Sequence, residues 1–148
     1  MQRPLRVILW AVAVAPLLAT GAAAQAKLPN DSLALARKWS QWFLTGRADS
    51  LATQMTPGML ADAGGVSGIS DQSRMVLERA GMENKVVEER FVWRNGQRQY
   101  WRTMDMTVLP EPFLLRFVML PDGKIGGVGL GPASQAPPTD SVGPVIKP

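Results

Sequence analysis

The sequence contains no cysteine and no histidine, and only one tyrosine. Without histidine there is no Ser-His-Asp or Cys-His catalysis. Imidazole metal sites are excluded too, and with no thiolate so is cysteine-bound zinc. No disulfide can brace the fold, so burial alone must hold it together. Also missing is any block of five or six consecutive basic residues. The high pI, about 10.0, is therefore not a nucleic-acid footprint.

What is present begins with an N-terminal targeting pattern. Arg3 and Arg6 precede an apolar run from Val7 to Leu18, followed by Thr20-Gly21-Ala22-Ala23-Ala24. A basic start, a short apolar core and an Ala-x-Ala site make a secretory signal peptide, with cleavage expected after Ala24. The apolar core is short for a membrane span and carries Pro16. Cleavage would remove two of sixteen basic residues and none of twelve acidic ones, leaving a net charge of 14 minus 12, or +2. The expected location is the periplasm or the medium, with no stable membrane span after cleavage. The expected organisation is a signal peptide over 1–24, one domain over 25–131 and a Pro-rich, disordered tail over 132–148.

Helical periodicity opens the domain. Asn30 or Asp31 can cap a helix running to Leu44, with Leu33, Ala36, Trp39 and Phe43 inward and Arg37, Lys38 and Gln41 off that face. A second, shorter helix starts near Arg47 and breaks at Pro57-Gly58, and Met59-Leu60-Ala61 allows one more turn. The stretch Ala63 to Ile69 is glycine-rich and reads as a flexible loop, with Ser70 capping a third helix that ends at Gly81.

From Asn84 the period changes to two. Strands over about Lys85–Arg94 and Gln97–Leu109 meet at Asn95-Gly96, the preferred dipeptide of a type I′ hairpin. That turn sets a register in which Phe91 faces Tyr100, Glu89 faces Arg102, Val87 faces Met104 and Arg90 faces Trp101. Phe113–Leu120 forms a strand apolar on both faces. Asp122-Gly123 turns the chain into a last strand near Lys124–Leu130, whose glycines predict a bulge or sharp bend. The fold class is α+β, with three helices packed on a curved four-stranded antiparallel sheet.

The order of elements, with the phrases WSQWFLTGRADSLATQMTPGM, VVEERFVWRNGQRQYWR and EPFLLRFVMLPDGKIGGVGLGP, resembles the nuclear transport factor 2-like superfamily. That cone-shaped α+β fold is shared by SnoaL-like and ketosteroid isomerase-like proteins. The chain is similar to small secreted bacterial domains of this fold, found alone or before serine-hydrolase domains. The resemblance implies a fold rather than an activity, because this fold hosts enzymes, ligand binders and scaffolds.

Two functional expectations follow. The first is a non-catalytic binding domain for a small apolar ligand or an envelope protein, with Trp39, Trp42, Phe43, Met104 and Phe117 lining a pocket. Its partner surface would be Arg90, Val92, Trp101, Thr103, Asp105, Val118 and Leu120, which also suits a homodimer through the sheet. The second is an isomerase- or hydratase-type enzyme with Asp105 as general base and Tyr100 as donor. The register sets those two on opposite faces, which opposes the second. No metal and no cofactor is expected. The Glu89–Arg102 pair reads as a cross-strand strut, worth about 0.2–1 kcal/mol.

Overall fold

A computed structural model describes residues 31–146. The expected signal peptide and its cleavage site lie outside the described residues. Four α-helices come first: α1 (Ser32–Leu44), α2 (Ala48–Ala52), α3 (Pro57–Asp62) and α4 (Gly65–Ala80). Five strands follow: β1 (Glu83–Arg94), β2 (Gln97–Met106), β3 (Phe113–Met119), β4 (Ile125–Pro132) and β5 (Ser141–Val142). They form one open antiparallel sheet in the order β4-β3-β2-β1-β5. The α+β class is as expected, with one more helix and one more strand than the sequence reading.

The extra helix has a stereochemical origin. Thr56 caps α3 by accepting the Met59 amide at 3.2 Å, and Pro57 sits in its first turn. Gly64 and Gly65 then both adopt positive φ, 80° and 70°, and reverse the chain directly into α4. The glycine-rich stretch expected as a loop is thus a two-residue hinge followed by helix, and Ser70 lies inside α4 rather than capping it. Gly68 is required there, because a Cβ would stand 1.9 Å from the Ala63 carbonyl oxygen.

The hairpin behaves as a type I′ turn demands, with φ of 52° at Asn95 and 69° at Gly96. Its register matches expectation from Arg94–Gln97 back to Glu88–Thr103. There it slips by one residue: Val86, not Val87, pairs with Met104, and Val87 is displaced outward, 46% exposed. This is a β-bulge that turns Val86 toward the helices, and a further shift between Glu83 and Lys85 returns Glu83 to the same side. Another irregularity lies opposite the glycines of β4, between Val118 and Met119, where a bulge was expected.

The core lies between the helices and one sheet face. Trp39, Phe43, Leu51 and Ile69 from the helices meet Tyr100, Met104, Leu115, Phe117 and Ile125 from the sheet. Trp39 packs edge-on against Phe117 at 5.7 Å between ring centroids. A smaller cluster of Val92, Trp101 and Leu114 forms on the outer face, closed by Ala133.

The segment after β4 departs most from the sequence reading. Its described part is ordered: it makes a 3-10 turn at Ala133–Gln135, then runs beside β1 as β5. Amide groups of Asp140, Gly143 and Ile146 donate to the carbonyls of Trp93, Phe91 and Glu89 at 2.7, 2.9 and 2.7 Å. The proline-rich composition excludes helix but not an extended edge strand, whose outward amides need no partner.

Two outcomes test this architecture. Phe117→Ala should cost about 3–5 kcal/mol in urea denaturation, whereas Val87→Ser at the bulge should stay within about 0.5 kcal/mol. Truncation after Gln135 should lower stability by about 1–3 kcal/mol and shift Trp101 fluorescence to the red, since Trp101 loses its cover.

Candidate functional site

The sheet face that meets the helices carries a fully buried carboxylate. Glu89 lies between Phe91 and the bulge, faces Arg102 across the hairpin, and is 0% exposed. A buried carboxylate is tolerated only when paired and hydrogen-bonded. Three side chains supply the donors. Arg102 donates from Nη1 at 2.6 Å, and the Tyr100 hydroxyl donates to the same oxygen, Oε1. From α1, Arg37 reaches across with Nε at 3.0 Å and Nη2 at 2.5 Å to Oε2. Arg102 in turn makes a two-pronged pair with Glu83, at 2.7 and 2.9 Å. The result is a continuous chain of charge from helix to hairpin: Arg37, Glu89 with Tyr100, Arg102, Glu83.

The cross-strand Glu89–Arg102 pair was legible as a strut. Its burial and its third partner were not, because Arg37 sits one position beyond the apolar stripe of α1. The signal was available: a glutamate sharing a strand face with Phe91, Tyr100 and Met104 must find donors outside its own hairpin.

Electrostatics lock the protonation states. Burial pushes the Glu89 carboxyl up, but hydrogen bonds from Arg37 and Tyr100 and the nearby arginine charges more than offset it, so it ends below the ordinary carboxylate value. Burial, and then its bond to Glu89, drives the Tyr100 hydroxyl well above its ordinary value. The Arg37 guanidinium is raised, chiefly by its bond to Glu89. Burial opposes the Arg102 charge, but its bonds to Glu83 and Tyr100 hold it raised as well. At neutral pH Arg37 and Arg102 are therefore cations around an ionised Glu89 and a neutral Tyr100 phenol.

This cluster forms the floor of a cleft of about 560 Å³ between α1, α4 and β1. Arg37, Gln41, Leu44 and Thr45 recur along one edge of α1 at the helical repeat and line one side. Val76 and Leu77 from the last turns of α4, with Met82 and Val86, line the other. Leu77 and Met82 remain 49% and 65% exposed at its mouth.

The expected site residues divide differently. Trp39, Phe43, Met104 and Phe117 are closely packed core and do not line this cleft. Trp42 is half-buried beside that core, with the Lys38 ammonium 4.8 Å above its ring. Tyr100 is in the charge cluster, while Asp105 points to the opposite face of β2 and is paired across the strands with Lys85. The structure does not bring Asp105 and Tyr100 together. Arg90, Val92, Trp101 and Thr103 line a smaller groove of about 250 Å³ on the outer face, lined also by Pro137 and Pro138 of the chain's own tail. Val92 and Trp101 are only 1% and 9% exposed there, so a homodimer using them would have to displace that segment. Val118 and Leu120 are half-buried to one side.

Among the described residues no group of three or more acidic side chains is placed to hold a metal ion, and no helix is long and apolar enough to cross a membrane. In comparisons with protein-family models, curated proteins and solved structures, the chain matches none.

Glu89→Gln should cost about 3–5 kcal/mol, because two arginines lose their counter-charge. The pH dependence has a definite sign. Glu89 has a depressed folded-state pKa, so its contribution is present above the unfolded value near 4.3 and is lost as pH falls through the folded value. Tyr100 is raised, so its contribution is complete below about pH 10 and is lost above it. Urea midpoints should be flat from about pH 6 to 9 and decline on both sides. An acid limb of equal steepness in Glu89→Gln would contradict this assignment.

Proposed function

We propose that the chain is a secreted, non-catalytic binding domain of nuclear transport factor 2-like type that takes a small amphipathic ligand in the α1–α4–β1 cleft. The cleft itself carries this reading. Its volume suits a drug-sized molecule, and it combines apolar walls with a few convergent polar groups, as ligand sites do. The apolar part of a ligand would lie against Leu44, Val76, Leu77 and Val86. Its polar end would meet the side chain of Gln41 and Nη1 of Arg37, neither of which is bonded within the described chain. The exposed Met82 at the mouth adds an adaptable contact.

The isomerase or hydratase alternative transfers from Asp105 to Glu89, the carboxylate that is buried beside a tyrosine. Its chemistry favours binding. A general base works best with a pKa near the operating pH and a lone pair free for the incoming proton. Glu89 is held below the ordinary carboxylate value, and both of its oxygens accept from arginine.

The probe 1-anilinonaphthalene-8-sulfonate tests the cleft, being apolar with one polar end. Saturable fluorescence enhancement is expected. Leu77→Asp and Val86→Asp should each weaken binding by about tenfold or more, roughly 1.4 kcal/mol. Val142→Asp on β5 should leave it unchanged. Equal affinity in all three variants would remove the cleft as the site.

A further inference from the structure

The outer face of the sheet, away from the cleft, carries positive charge that its own residues do not neutralise. Arg90 on β1, Trp101 on β2, Arg116 on β3 and Gly129 on β4 stand in one cross-strand row. Arg94 lies on the same face of β1, two pleats beyond Arg90. Arg90 pairs with Glu88. Arg94 and Arg116 meet no carboxylate among the described residues. The nearest acid of the tail to the hairpin, Asp140, is engaged otherwise: its carboxylate accepts the Gly96 amide at 3.2 Å.

Several features hold Arg116 in place. The Arg116 guanidinium lies over the Trp101 ring, 5.7 Å from its centroid. The ring is oriented by its own indole N–H, which donates to the buried Gln99 carboxamide at 2.9 Å. Gly129 makes room on β4, since a Cβ there would stand 2.3 Å from Arg116 Nη2. Burial, and secondarily the nearby Arg94 charge, hold the Arg116 guanidinium below its ordinary value. Nε of Arg94 is buried and reaches no acceptor among the described residues. Two half-buried cations on one face, one with an orphaned donor, are destabilising on their own, and an oxyanion accepting from both would offset that cost.

We propose that Arg94 and Arg116 form a binding site for a small oxyanion, a carboxylate or phosphate group, on the outer sheet face beside Trp101. The planar guanidinium forks match the two-oxygen edge of either group. Trp101, itself covered by the tail, serves as the platform that orients the Arg116 guanidinium. This site is independent of the cleft, which opens on the other face of the sheet.

Side-chain N–H signals of arginine and tryptophan, followed by two-dimensional NMR of the full chain, read the site directly. Sodium phosphate and sodium succinate are titrated separately against sodium chloride of equal ionic strength. The Arg116 Nε–H and Trp101 Nε1–H signals should shift saturably with at least one oxyanion and not with chloride. The pair of titrations distinguishes phosphate from carboxylate. Arg94→Gln should weaken binding by about tenfold or more. It should not lower the melting temperature, because it removes a like-charge neighbour. Arg116→Lys, which keeps the charge but loses the fork, should also weaken binding, whereas Arg47→Gln, far from the face, should not. Linear shifts, equal shifts with chloride, or unchanged affinity in both Arg94→Gln and Arg116→Lys would overturn the assignment.

Discussion

A fully buried carboxylate has to be surrounded by donors before the chain can close over it. Glu89 imposes that condition, and α1 and the hairpin are arranged to meet it. Ionised Glu89 leaves water only if Arg102, Tyr100 and Arg37 arrive together. Two of these lie on β2 and come with the type I′ register. The third lies on α1, so the helix must sit at one height and one rotation over the sheet. Apolar packing of Trp39 and Phe43 tolerates small slides, whereas two bonds from one guanidinium to one carboxylate do not. A hydrophobic pair of equal volume could serve stability as well. The ionic cluster contributes instead a fixed placement of α1 relative to β1, and so a fixed cleft.

The cleft also depends on the bulge at Val87. A hairpin with uninterrupted register would put Val87 on the helix-facing side and Val86 on the outer face. The one-residue slip exchanges them and brings Val86 to the cleft wall, and a further register shift between Glu83 and Lys85 keeps Glu83 on that same side. Glu83 can then bind Arg102 with both oxygens. That fixes the guanidinium whose Nη1 serves Glu89. The irregularity at the start of β1 and the regularity of its middle thus serve one cluster.

Local chemistry was legible in the sequence where few residues decide the outcome. Asn95-Gly96 admits essentially one hairpin turn, and the middle of the register followed from it. Phe113–Met119 read as a strand apolar on both faces, and the four residues of its helix-facing side, Phe113, Leu115, Phe117 and Met119, are all buried. The reading failed where glycine and proline have two uses. Gly64 and Gly65 can loosen a chain or reverse it between helices, and only the packing of α4 against α2 and α1 selects the second. Prolines 137 and 138 forbid helix but not an edge strand. The Arg37 contact was invisible because it depends on the tertiary height of a helix, which no periodicity encodes. Asp105 and Trp101 attracted attention as chemistry-bearing groups on one face, but the carboxylate that matters was on the other, concealed as a strut.

The segment beyond β4 gives the two faces different characters. By running beside β1 it protects the hydrogen-bonding edge nearest Glu89, and the Ile146 amide bonds the Glu89 carbonyl itself. It also covers the apolar part of the outer face, Val92, Trp101 and Leu114, and brings no carboxylate to Arg94 or Arg116. The outer face is therefore left with its cations and without its hydrophobic surface. That combination disfavours a broad apolar dimer interface through this patch and favours recognition of a small charged group. On the inner face the balance is reversed: the charges are paired with one another and apolar side chains remain exposed at the cleft mouth. One sheet thus presents a surface whose unmet requirement is an anion and a cleft whose unmet requirement is apolar contact.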